Sequence, residues 1–330
     1  MEQTESPIHE AVEAEAAVEA DTTEPKPLVK HGWLRVLILF VVYVVGIIGV
    51  SIMTGLVFVL WNVVTGRDPF DLEHLADPSS LGLGPLWVSQ LLHFALTVIV
   101  VWGMRRFIDR RSFVSLGLTL RGYGSHLVQG MAWGVGLIVF GFVVLQATGA
   151  LVIDPEHETI GPLMFLAYLG ILIVVAVNEE LVIRGYVLDN LMASMNRWVA
   201  LFVSALIFTA FHIFNANISL LPLVNLVLAG MVLGVYYIHR RNLWFSIGMH
   251  LTWNLFQGPV FGFEVSGLQT PSVIGQTVSG SDLLTGGDFG LEGSILTTVF
   301  LVVATIVIHL QFRNDRPVLR SRLKNRSEVH

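Results

Sequence analysis

Glu179 and Glu180 close an uncharged run from Leu163 to Val177, with Asn178 between, and Leu181, Val182 and Ile183 follow before Arg184. A carboxylate in the middle of a bilayer costs roughly 2.5–3.5 kcal/mol on insertion scales. Two in succession need a partner, a polar cavity or a chemical task. Similar apolar runs recur along all 330 residues, near or above the ~20 residues that cross a bilayer. Only 13% of the chain is charged, against about 25% in soluble domains. A water-soluble fold is therefore excluded.

The runs predict an all-α fold, a polytopic membrane bundle of about eight transmembrane helices. The expected spans are about 34–64, 85–108, 126–151, 160–183, 197–215, 218–238, 243–260 and 291–312, the fourth continuing as helix to about Ser194. The loops alternate in sign. Lys26, Lys30 and Arg35 precede the first span. Arg67 is outnumbered by Asp68, Asp71, Glu73 and Asp77 in the next loop. Arg105, Arg106, Arg110, Arg111 and Arg121 then face a loop holding Asp154, Glu156 and Glu158 without a base. Arg197, the pair Arg240–Arg241, and Arg313 to Arg326 continue the pattern, while loop 261–290 carries acids only. Lys and Arg collect on the cytoplasmic side of membrane proteins, so both termini are expected in the cytoplasm and loop 261–290 outside.

Five regions follow. Residues 1–30 are an acidic tail expected to be disordered, with too little apolar surface to fold. Residues 31–159 hold the first three spans, and 160–258 a core of spans four to seven. Residues 259–290 form a Gly- and Ser-rich loop, read as a flexible connector with a lid as the alternative. Residues 291–330 hold the last span and a basic tail. The net charge of −6 arises in the acidic tail. With no cysteine in the chain, a disulfide, a thiolate ligand and a cysteine nucleophile are excluded.

Three polar constellations lie in the core. Residues four apart share a helix face, so Glu180 can pair with Arg184. Glu179 points about 100° away and is the freer carboxylate, suited to general-base work. Alternatively, both acids belong to a salt-bridged helix end. His212 follows Phe208 by four residues. The turn between spans four and five falls near Met195–Asn196, and Glu179 and His212 each lie 16 residues from it, so an antiparallel hairpin sets them at one depth. His250 and Asn254 again share a face. They could donate to an oxyanion, ligate a metal, or join helices by hydrogen bonds. Asn225 takes that last, structural reading, and His93, Gln90, Gln129 and Gln146 are expected to pack or sit at interfaces.

Glu179-Glu180-x-x-x-Arg184, Phe208-x-x-x-His212 and His250-x-x-x-Asn254 stand in order, each on its own expected span. In this the chain resembles the CAAX prenyl endopeptidase and bacteriocin-processing (CPBP, or Abi) family of membrane proteases, over about residues 160–258. The resemblance implies an eight-helix intramembrane endopeptidase, expected to cut near the cytoplasmic membrane surface, with Glu179, His212, His250 and Asn254 converging on one cavity on that side. Glu179 and His212 would activate water, His250 and Asn254 would stabilise the oxyanion, and Glu180 and Arg184 would give electrostatic support, with Phe208 beside them. No obligatory metal cofactor is expected. If a metal takes part, it would be zinc on Glu179, His212 and His250. The expected partners are a protein or peptide substrate and membrane lipid, with no nucleic acid. The expected location is the plasma membrane. A proton-coupled transporter with Glu179 and His212 as relay, and a catalytically silent immunity or scaffold protein, remain the rival readings.

Overall fold

The computed structural model describes residues 26–68 and 83–314. Most of the acidic tail, the acids Asp71, Glu73 and Asp77, and the basic residues from Arg316 onward lie outside the described residues.

A helix forms at each of the eight expected places: α1 Gly32–Thr65, α2 Leu83–Gly103, α3 Gly124–Ala147, α4 Pro162–Glu180, α5 Arg197–Ala210, α6 Leu220–Arg240, α7 Trp244–Leu255 and α8 Ile295–Phe312. Six are long and apolar enough to cross a membrane, counting their continuations: Gly32–Thr65, Leu83–Ile108, Gly124–Ala147, Pro162–Met192, Leu220–Arg240 and Ile295–Phe312. The chain is an integral membrane protein. The count of about eight full spans needs one adjustment. The 14 residues of α5 rise about 21 Å and the 12 of α7 about 18 Å, short of the ~30 Å hydrocarbon core. α5 stops at Ala210 because residues 211–214 turn, and α7 loosens into a π-type turn, Phe256–Val260, that contains Pro259.

Among the described residues two short strands, β1 Leu151–Ile153 and β2 Gln276–Val278, pair antiparallel with Leu151 opposite Val278. They tie the α3–α4 loop to loop 261–290. That loop is packed rather than loose: Phe263, Phe289 and Leu291 are buried, and Asp282–Thr285 makes one helical turn.

The basic loops gather at one end of the bundle. The Gly32 amide donates to Ser194 Oγ at 2.6 Å, Leu28 N to the Ile108 carbonyl at 2.8 Å, and Leu243 N to the Gly117 carbonyl at 3.0 Å. These bonds join the start of α1, the end of α2, the end of α4 and the α6–α7 turn. A buried polar network lies among them. Arg105 bonds Asp109 at 2.9 Å and Asp189 at 3.0 Å, Arg35 bonds Asn190 at 2.9 Å, and Arg241 also reaches Asp189. Such fully paired charges satisfy each other where water is excluded.

Two close helix pairings set the position of the core. Gly130 and Gly134 of α3 meet α7 backbone to backbone; a Cβ at either would run into the carbonyl of Phe245 or of Met249. Small residues at this spacing let membrane helices approach closely. Thr252 Oγ1 donates across the same seam to the Met131 carbonyl at 2.9 Å. On the other side, Asn225 of α6 donates to the carbonyls of Glu292 and Ser294 and accepts from Thr298 Oγ1 at 2.6 Å. This is the structural bridging expected of it, here to α8.

Candidate active site

α4 delivers both glutamates and then changes character. Directly after Glu180 the helix widens into a π segment, Leu181–Leu188, whose eight residues are all buried. Departures of this kind recur at functional sites. Glu180 and Arg184 are both fully buried and pair at 2.7 Å, Nη1 to Oε1. Arg184 Nη2 also donates to the Gly230 carbonyl at 3.2 Å, and its guanidinium lies 4.7 Å above the Phe208 ring. The i,i+4 pair expected from the sequence is therefore present.

Glu180 has a second partner. His250 Nδ1 lies 2.9 Å from the same Oε1 that bonds Arg184. A carboxylate beside an arginine accepts rather than donates, so His250 carries a proton on Nδ1. Its Nε2 then points at the other glutamate, 3.8 Å from Glu179 Oε2.

His212 reaches the same oxygen as well, with Nε2 3.9 Å from Glu179 Oε2. It does not stand on a helix, as span 197–215 implied, but in the turn after Ala210. The turn holds it well: its amide donates to the Thr209 carbonyl at 2.9 Å, and Nδ1 donates to the Phe208 carbonyl at 2.8 Å. A carbonyl only accepts, so Nδ1 bears the proton and Nε2 faces Glu179. Phe208 packs against both imidazoles, its ring centroid 4.6 Å from that of His212 and 6.5 Å from that of His250.

Glu179, His212, His250 and Asn254 line one cavity of about 440 Å³. Glu179 and His212, set at one depth by the hairpin reasoning, do stand side by side. Glu179 Oε2 has no hydrogen-bond partner among the described residues and its atom is buried. Two imidazole Nε2 atoms stand 3.8 and 3.9 Å from it, too long for direct bonds.

Sequence reasoning overlooked part of the lining. Tyr43 of α1, bonded to Thr97 at 2.7 Å, lines the cavity with Asn178 and with Gln90, whose expected role was packing or an interface. Loop residues Val265 to Thr270 contribute as well, apart from Gly267. Glu292 clamps that stretch: Oε2 accepts from the Ser266 amide at 2.8 Å and its hydroxyl at 2.7 Å, and Oε1 accepts from Trp253 Nε1 at 2.8 Å. A signal existed for Glu292, an acid just inside the expected start of span eight. Nothing in the local pattern marked Tyr43, and the loop residues entered only through the lid alternative for loop 261–290.

A cavity on the cytoplasmic side and loop 261–290 outside cannot both hold, because the loop itself walls the cavity. The residues of the buried network at the basic end, Arg35, Arg105, Asp109, Asp189, Asn190 and Arg241, take no part in its lining.

As a zinc site the donors fit poorly. Two ligands bonded at about 2.0–2.1 Å in a tetrahedron stand about 3.3 Å apart, closer than Glu179 is to either histidine. Among the described residues, no group of three His, Cys, Asp or Glu is placed to hold a metal ion.

Residues 161–256 match the family model described as type II CAAX prenyl endopeptidase Rce1-like. The matched stretch contains α4 to α7 and every site residue from Glu179 to Asn254. The match bears out the resemblance drawn from the three motifs, and it supports an intramembrane endopeptidase of the CAAX protease kind. No curated protein and no solved structure matches the chain.

Proposed function

We propose, with the Rce1-like match as premise, that the protein cleaves peptide bonds by glutamate-activated water, without a metal in the reaction path. One observation supports this most: Glu179 Oε2 lies between two imidazole Nε2 atoms, 3.8 and 3.9 Å away, whose other nitrogens are already engaged. A water between Glu179 and His212 would lose its proton to the carboxylate as its oxygen attacks the scissile carbonyl carbon. The carbonyl oxygen becomes an oxyanion. Asn254 Nδ2 donates to it, and so does His250 Nε2 when that ring is doubly protonated. Collapse breaks the C–N bond, and the proton held by Glu179 passes to the leaving amine.

The charge balance favours this division of labour. Glu179, Glu180 and Arg184 together carry one net negative charge, and a proton shared with His250 neutralises it in an apolar surround. Glu180, already committed to Arg184 and His250, acts by holding His250 rather than by touching water. The substrates suited to such a cavity are membrane-associated polypeptides, whether lipidated ends, leader peptides or membrane segments. Cleavage of a quenched-fluorophore peptide library by the full-length protein in liposomes tests the proposal. Turnover by wild type that disappears in Glu179→Gln and drops in Asn254→Ala supports it; turnover that survives Glu179→Gln refutes it.

A further inference from the structure

We infer that the cavity is entered from the non-cytoplasmic face of the membrane, so that the scissile bond belongs to a polypeptide segment presented on that face. Two independent observations combine here. The first is the polarity of the bundle. Among the described residues, the bases outside the core lie at the network end, with Arg67 as the one exception, whereas Asp154, Glu156, Glu158, Glu264, Asp282, Asp288 and Glu292 lie at the opposite end. The hydrogen bonds between loops show that the basic loops truly share one end. Basic loops are retained in the cytoplasm.

The second observation is where the cavity opens. Its lining runs from Glu179 and His250 to Gln269 and Thr270 of the acidic-end loop, with Leu268 and Gln269 exposed. Towards the cytoplasm the path is filled. Leu181 to Leu188 are buried without interruption, and beyond them Arg105, Asp109 and Asp189 are buried and paired with one another. A substrate arriving from the cytoplasm would have to break that network. One arriving from the loop side meets the strap Val265–Thr270, held by the Glu292 bonds to Ser266 and Trp253.

The direction rests on the peptidase reading only for what enters the cavity, and the two fail separately. The chain has no cysteine, so Gln269→Cys introduces a single thiol at the cavity mouth. Ser281→Cys places one on the exposed part of the same loop, and Arg111→Cys one on the basic end. Each full-length variant is treated in intact cells with a charged, membrane-impermeant maleimide, and labelling is read as a mass shift. The inference expects Gln269→Cys and Ser281→Cys to label in intact cells, and Arg111→Cys to label only after permeabilisation. In addition, modified Gln269→Cys should cleave peptide at least several-fold more slowly than the unmodified variant. Labelling of Gln269→Cys only after permeabilisation overturns the inference and leaves the peptidase reading untouched. Should Gln269→Cys fail to accumulate, Ser281→Cys alone decides the sidedness. Outside labelling together with cleavage that persists in Glu179→Gln sinks the peptidase reading instead.

Discussion

Glu180 and His250 meet through a 2.9 Å hydrogen bond that spans 70 residues of sequence, and the same glutamate oxygen holds Arg184 at 2.7 Å. The buried carboxylate therefore links α4 to α7 and orients the ring that faces Glu179. Glu180→Gln leaves Arg184 with an unpaired buried charge, and breaking such a pair costs about 3–5 kcal/mol. We expect a marked drop in thermal unfolding temperature in detergent, larger than for Glu179→Gln. The double variant Glu180→Gln with Arg184→Gln should regain part of that loss. A Glu180→Gln protein as stable as wild type would remove the structural role assigned to this residue.

The α3–α7 seam should be intolerant of any side chain. Gly130→Val and Gly134→Val force methyl groups onto the backbone carbonyls of Phe245 and Met249. Overpacking of a filled contact costs typically about 1–3 kcal/mol. Because α7 carries His250 and Asn254, activity should fall further than stability. Gly136 has open space around its Cβ position, so Gly136→Ala should change neither. Equal behaviour of all three variants in unfolding and cleavage assays would contradict the packing described.

Metal removal should leave cleavage unchanged. The donor spacing around Glu179 is too wide for a tetrahedral zinc ion. Dialysis against a chelator followed by assay in metal-free buffer checks this. Activity that vanishes and returns only on adding zinc, at one ion per chain, would overturn the water-only route.

Much of this arrangement was legible because membrane burial makes polar residues costly. Glu179, Glu180, His212, His250 and Asn254 stood out against apolar runs, and helical spacing paired Glu180 with Arg184. Equal distances from the turn at Met195–Asn196 brought Glu179 and His212 together. What remained hidden depended on tertiary contacts or on departures from regular helix. The π segment after Glu180 has no sequence signature. The break at Ala210, which puts His212 in a turn, is marked by no Gly or Pro between Ser204 and Leu221. The Glu180–His250 bond required knowing how α7 lies against α4. Loop 261–290 has the composition of a connector, yet Phe263, Phe289 and the Glu292 clamp fold it against the cavity. Its place there also exposed the conflict between an external loop and a cytoplasmic cavity, which spacing along one chain could not reveal.

The most direct measurement compares new polypeptide ends. Membranes from cells producing wild type or Glu179→Gln, at matched levels, are analysed by mass spectrometry of peptide termini. Glutamine keeps the shape of the side chain and removes the base, and loss of a general base typically lowers rate about 10²–10⁴-fold. A defined set of termini should be present with wild type and absent with Glu179→Gln, while both proteins unfold at similar temperatures. Identical sets of termini, with an active wild-type preparation, would contradict the assignment of Glu179 as the base.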